Sequence, residues 1–132
     1  MTGGLISSEM TKIPGASKVF KGGIVAYTKT AKINLLNIKD EDIEKYGIVS
    51  KEIALEMAKS VKHLTQSTIG IGVTGDAGPR LQKGSEKREA FYALCNEEKC
   101  FYEAVEFTYE TRVEAQKLVV DLVEKMIIKS ID

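Results

Sequence analysis

One serine, one tyrosine and one lysine fall close together near the start of this chain: Ser17, Tyr27 and Lys32. All three side chains can take part in nucleophilic attack on a carbonyl. Serine is a weak nucleophile at its free pKa and needs a base beside it. A lysine serves as that base where burial or a nearby cation lowers its pKa. Ser17 follows Pro14-Gly15, a turn dipeptide. Phe20 to Thr28, with β-branched and aromatic residues, reads as a strand that ends at Tyr27, and Lys32 falls in the first turns of the helix that follows. A turn can carry a serine back to a strand's end, so the three could converge. A purely structural reading stands beside this one: Ser17 caps a turn, Tyr27 packs and Lys32 is solvated.

The elements that must position these residues follow from the pattern along the chain. Leu5 to Thr11 reads as a helix that ends before Pro14, where helical hydrogen bonding cannot continue. Thr30 to Asn37 predicts a short helix, and Asp40-Glu41-Asp42 puts acid at the start of another that stops at Gly47. Ser50 is a good N-cap, and Ile53, Met57, Val61 and Leu64 then form one apolar helical stripe. Ser67 to Thr74 is a β-rich run with two glycines, expected as a buried central strand that another backbone approaches closely. It leads into Gly75-Asp76-Ala77-Gly78-Pro79, a glycine loop at a strand's carboxyl end, where open α/β sheets bind ligands. No Gly-Lys-Ser/Thr follows, so it is not a P-loop.

Arg80 to Arg88 reads as a polar loop, and Glu89–Cys95 with Cys100–Thr108 as an antiparallel hairpin. From Glu110 onward a helix is expected to bury Val113, Leu118, Val119, Leu122, Val123 and Met126. Helices between and after strands give an α/β layer architecture.

Bulk properties narrow the function classes. With 132 residues the chain suits a single domain, 1–132, with a real core. Apolar residues make up 43% and charged residues 29%, the balance of a globular chain. Lys+Arg and Asp+Glu are 19 each, so no global charge favours nucleic acid or an anionic membrane. No apolar run is long enough to span a bilayer, and a soluble cytoplasmic protein is expected. The single histidine, His63, stands near a helix end, and with no clustered ligands neither a histidine triad nor a metal site is expected. Cys95 and Cys100 flank the hairpin loop Asn96-Glu97-Glu98-Lys99; two free thiols are expected there rather than a cross-strand disulfide.

A family resemblance adds to this reading. Thr2-Gly3-Gly4, Ile13-Pro14-Gly15-Ala16-Ser17, Gly22-Gly23-Ile24-Val25-Ala26-Tyr27, Ala31-Lys32, Gly47-Ile48-Val49-Ser50, Glu56-Met57-Ala58 and Val73-Thr74-Gly75-Asp76-Ala77-Gly78-Pro79 occur in the order and rough spacing of one family. The chain resembles the C-terminal domain of the competence/damage-inducible CinA proteins, whose stand-alone members are nicotinamide-nucleotide amidases. The resemblance implies a three-layer α/β/α sandwich with a mixed sheet. It also implies that the family's first strand, which ends in Glu-Ser-Cys before the Thr-Gly-Gly equivalent, is missing here.

The activity implied is hydrolysis of the carboxamide of nicotinamide mononucleotide to nicotinate mononucleotide and ammonia, with no metal or cofactor. Ser17 would attack the amide carbon, Lys32 would take its proton, and Tyr27 would orient the lysine or relay a proton. Gly3, Gly4, Thr74, Gly75 and Gly78 would bind phosphate or the oxyanion through backbone N–H groups, and Arg112 would meet the phosphate. The partners implied are a nucleotide substrate and further copies of the chain, as a homo-oligomer. The alternative is a non-catalytic nucleotide-binding or assembly member of the same family. The missing first strand and an altered C-terminal half, where Tyr109-Glu110-Thr111-Arg112 stands for the family's Gly-Asp-Arg, speak for it. A Ser-Lys hydrolase with another amide substrate is a third reading.

Overall fold

The computed structural model describes residues 1–81 and 86–131. The order of elements is α1 (Leu5–Thr11), a single 3-10 turn (Ala16–Lys18), α2 (Lys29–Leu36), α3 (Asp40–Tyr46), α4 (Lys51–Thr65), β1 (Gly70–Gly75), β2 (Glu89–Cys95), β3 (Cys100–Glu106) and α5 (Arg112–Ile131). The three strands form one sheet in the order β1-β2-β3.

Helices cover both faces of that sheet. On one face Ala54 and Ala58 of α4 pack against Ala93 and Cys95. The strand glycines allow this close approach: a Cβ on Gly72 would run into Ala54 O and Ala58 N, and one on Gly70 into Ala58 O. On the other face Val119, Val123 and Met126 of α5 bury Tyr92 and Leu94. A third cluster, with Leu36, Ile38, Ile43, Ile53 and Met57, seats α2 and α3 on the far side of α4. The α/β/α layering expected from the sequence is therefore the architecture of the chain.

The local signals for α4 act as read. Ser50 Oγ accepts from the Ile53 N–H at 3.3 Å, a side-chain N-cap that satisfies one orphan donor of the first turn. Acidic residues open α3, where the helix dipole favours them. Two stripe residues depart from expectation because they lie in end turns: Leu64 and Val113 are exposed, while Ala115 and Val120 join the buried face of α5.

Three expectations need correction. Residues 20–28 do not form a strand; residues 20–27 have no regular secondary structure. The physical reason is the lack of a partner, since no backbone N–H of residues 21–27 bonds to another described backbone group. Without that strand the sheet is antiparallel throughout among the described residues, not mixed. The two cysteines are not free thiols. The hairpin register places Cys95 directly opposite Cys100, and they are joined in a disulfide. The loop expected over Arg80–Arg88 falls partly on residues 82–85, outside the described residues. Among the described residues no helix is long and apolar enough to cross a membrane.

Candidate functional site

At the carboxyl end of β1 lies a cavity of about 680 Å³ whose wall includes Tyr27, Lys32, Thr74, Gly75, Asp76 and Arg112. Lys32 is its chemical centre. Thr28 caps α2, its Oγ1 accepting from the Ala31 N–H at 3.1 Å, which fixes the first turn from which Lys32 projects. Helical side chains lean toward the N-terminus, so the amine folds back beneath the residues before the helix. There Nζ donates to Ala26 O at 3.0 Å. Lys32 is only 5% exposed, forms no ion pair among the described residues, and burial holds its pKa below the usual lysine value. An amine in this setting is easier to deprotonate than a solvated one.

Arg112 opens α5 and spans the mouth of the cavity. Its Nη1 donates to Gly78 O at 2.8 Å and its Nη2 to Tyr27 Oη at 3.1 Å. Tyr27 is otherwise well exposed, so this bond fixes its ring over the site. Two of the five guanidinium N–H groups are thus engaged, and the other three have no hydrogen-bond partner among the described residues. Arg80 adds a further cation to the wall, whereas Lys29 is paired with Asp40 at 2.9 Å and Glu44 at 2.6 Å. Among the described residues no cluster of three or more His, Cys, Asp or Glu is arranged to hold a metal ion.

Tyr27, Lys32, Thr74, Gly75 and Arg112 thus line one cavity. Gly78 stands just behind it, reached through Arg112. One expected backbone donor, and the hydroxyl of Thr74, are otherwise engaged. The Gly78 N–H donates to Asp76 Oδ1 at 3.1 Å, and the Thr74 hydroxyl donates to Ile48 O at 2.7 Å. Gly3 and Gly4 line a second cavity, of about 630 Å³, between residues 18–27 and the outer edge of β1. The two cavities share Met1 and Tyr27 in their walls. Ser17 sits exposed in the 3-10 turn and belongs to the lining of neither.

Sequence reasoning passed over Asp76 and Arg80 as site residues. The signal was present: both belong to the loop that leaves the carboxyl end of β1, and only the glycines of that loop were given a role.

Comparison with known proteins fits this geometry. The CinA C-terminal domain family matches residues 1–131. The chain belongs to that family. A CinA-like protein of Pseudothermotoga lettingae is 39% identical over 125 residues, covering 89% of this chain and 30% of that protein. One of Fervidobacterium nodosum is 51% identical over 87 residues, 66% of this chain and 21% of that protein. The chain spans less than a third of the length of the curated relatives it matches. Among solved structures, the competence/damage inducible protein CihA of Agrobacterium tumefaciens superimposes with a TM-score of 0.91 at 30% identity, covering 97% of this chain and 79% of that one. A competence or damage-inducible protein of Enterobacter asburiae gives a TM-score of 0.93 at 21% identity over 99% and 82% of the two chains, a likeness of fold.

Proposed function

We propose that this CinA C-terminal domain hydrolyses the carboxamide of nicotinamide mononucleotide, releasing nicotinate mononucleotide and ammonia, with Lys32 as the general base. The observation that carries the reading is the buried Lys32 amine, without an ion pair among the described residues, in a cavity that also presents Arg112 and Arg80. Once deprotonated, this amine can donate one N–H to Ala26 O and keep its lone pair to accept a proton. The arginines suit the phosphate of a nucleotide. In the reaction a nucleophile gives its proton to Lys32 as it bonds to the amide carbon. The C–N bond then breaks, and ammonia leaves with the proton returned from Lys32.

Two nucleophiles fit this scheme. Ser17 gives an acyl-serine ester that water then hydrolyses, and it requires the turn that carries Ser17 to move to the cavity. A water at Lys32 Nζ attacks directly and needs no such movement; the position of Ser17 outside the cavity lining favours it.

Ammonia release from nicotinamide mononucleotide tests the reading. Lys32→Met should lower turnover by at least about 10²-fold, the scale of general base catalysis. Lys32→Arg should not restore it, because a guanidinium does not lose its proton at working pH. Ser17→Ala separates the two nucleophiles: lost turnover assigns Ser17, and retained turnover assigns water. Saturable nucleotide binding without ammonia release would instead mark a non-catalytic member.

A further inference from the structure

The loop after β1 is held from behind by a residue that lies outside the cavity. Arg88 precedes β2, and its Nε donates to Ala77 O at 3.0 Å while its Nη2 donates to Glu110 O at 2.5 Å. Its guanidinium also lies 6.0 Å from the centre of the Phe107 ring. Gly78, at φ 68°, leaves room for this: a Cβ there would stand 2.7 Å from Arg88 Nε. Arg112 takes the next carbonyl, Gly78 O, from the cavity side. Two arginines from two different elements therefore fix successive carbonyls of one short loop.

The donors of the same loop can be accounted for one by one. The Asp76 N–H donates to Glu89 O at 2.8 Å, and the Gly78 N–H to Asp76 Oδ1 at 3.1 Å. Pro79 has no N–H. That leaves the Ala77 N–H, which has no partner among the described residues although Ala77 is buried and lines the cavity. A buried backbone N–H without a partner is rare and costs free energy unless something fills the position. Ala77 lines the cavity that contains Lys32.

We propose that the Ala77 N–H donates to the oxyanion that forms as the substrate carboxamide is attacked, and that Arg88 is the positioning residue that keeps it available. The inference rests on the amidase reading above. A peptide unit can turn about its neighbouring bonds, so an unanchored Ala77–Gly78 segment can swing its amides away from the cavity. Arg88 prevents this by tying Ala77 O to the chain that leads into α5. Oxyanion donors act mainly in the transition state, so the loss should appear in kcat rather than KM.

The test compares the wild-type chain with Arg88→Ala and Arg88→Lys in three measurements. These are ammonia release from nicotinamide mononucleotide, hydrogen exchange of the Gly78 amide in the free protein, and thermal unfolding. The Gly78 N–H shares a peptide unit with Ala77 O and is bonded to Asp76 Oδ1, so Arg88→Ala should speed its exchange while lowering kcat by about 10²-fold and leaving KM within about threefold. Millimolar guanidinium should restore part of the lost kcat, which a purely structural defect would not allow. Arg88→Lys should fold normally and lose less, because one amine cannot hold both Ala77 O and Glu110 O; it decides the matter if Arg88→Ala does not fold. A folded variant with unchanged kcat, or a loss carried by KM alone, overturns the proposal. If the wild-type chain releases no ammonia, the amidase reading falls and the oxyanion role with it. Unchanged Gly78 exchange in a folded Arg88 variant overturns the positioning role by itself.

Discussion

Residues 20–27 and β1 flank the same apolar cavity. Residues 20–27 carry two glycines and two β-branched residues, and β1 carries three of each, yet only one stretch is a strand. In β1 each residue from Gly70 to Gly75 has a partner on β2, and Gly70 and Gly72 let α4 settle directly on the backbone. Residues 21–27 have no ladder and are held by side chains instead. Lys32 Nζ grips Ala26 O, Arg112 grips Tyr27, and Lys21 Nζ reaches Gln66 O at 3.3 Å. Strand propensity is realised where a partner edge is present and not where it is absent, because the ladder supplies most of what holds a strand. Both side-chain grips at the Tyr27 end come from residues of the candidate site. The segment and the site are thus one mechanical unit, whereas β1 belongs to the core.

The largest effect should come from breaking β1. Gly72→Ala sets a Cβ against Ala54 O and Ala58 N, backbone atoms of a helix that cannot turn aside as a side chain can. Relief requires α4 to lift off the sheet, which also disturbs Ile53 and Met57 on its other side. The expected loss is about 3 kcal/mol or more, read as a fall in the urea midpoint. A Gly72→Ala protein of near wild-type stability would show that α4 is not seated as closely as described.

How far such contrasts can be seen in a sequence depends on how local their causes are. The Ser50 cap, the acidic start of α3 and the hairpin around Asn96–Lys99 depend on a few adjacent residues, and all three were legible. The failure of residues 20–28 to form a strand was not, because it depends on which backbone lies alongside. The disulfide was misjudged on general grounds of redox compartment. The local fact that decided it is register: the hairpin sets Cys95 opposite Cys100. Of the candidate site, Tyr27, Lys32, Thr74, Gly75 and Arg112 were named from the sequence and line one cavity, while Ser17 lies outside it. Short spacing along the chain suggested that Ser17 would converge with the others; the 3-10 turn of Ala16–Lys18 shows that nearness in sequence does not fix direction. The tie through Arg88 was illegible because it joins three separate parts of the chain.

A middle-sized effect should come from loosening the grip of Lys32. Burial lowers its pKa from the ordinary value of 10.5. Between the folded value and 10.5 the unfolded chain therefore binds the proton more readily than the folded one. Stability contributed by this group rises with pH across that window. Lys29 runs the other way: its acidic partners raise its pKa, so its contribution is full below 10.5 and is lost as pH climbs through the raised value. Lys32→Met should remove the rise below 10.5 and leave the fall above it. It should also free Ala26 O, so limited proteolysis should quicken within residues 21–27 while β1 stays protected. Equal acceleration in both would mean that the segment and β1 unfold together, against the contrast drawn between them.

The smallest effect is expected at Gly22, and it tests the same contrast from the unpaired side. Gly22 is exposed, its φ lies outside the left-handed region, and a Cβ there would meet only Thr65 Cγ2 at 3.7 Å, an ordinary contact. Gly22→Ala therefore costs nothing in the folded state and narrows the unfolded ensemble, so it should be neutral or stabilising by about 0.5 kcal/mol. Gly23 next to it differs, since a Cβ there would press on Ser7 Oγ, a side-chain tip that can rotate away. The three glycines form a graded series in which the obstacle is helix backbone at Gly72, a movable hydroxyl at Gly23 and nearly open space at Gly22. Urea midpoints that fall in that order would confirm that residues 20–27 lie on the protein without being built into it. A loss at Gly22 as large as that at Gly72 would mean that this segment packs as tightly as the strand it faces.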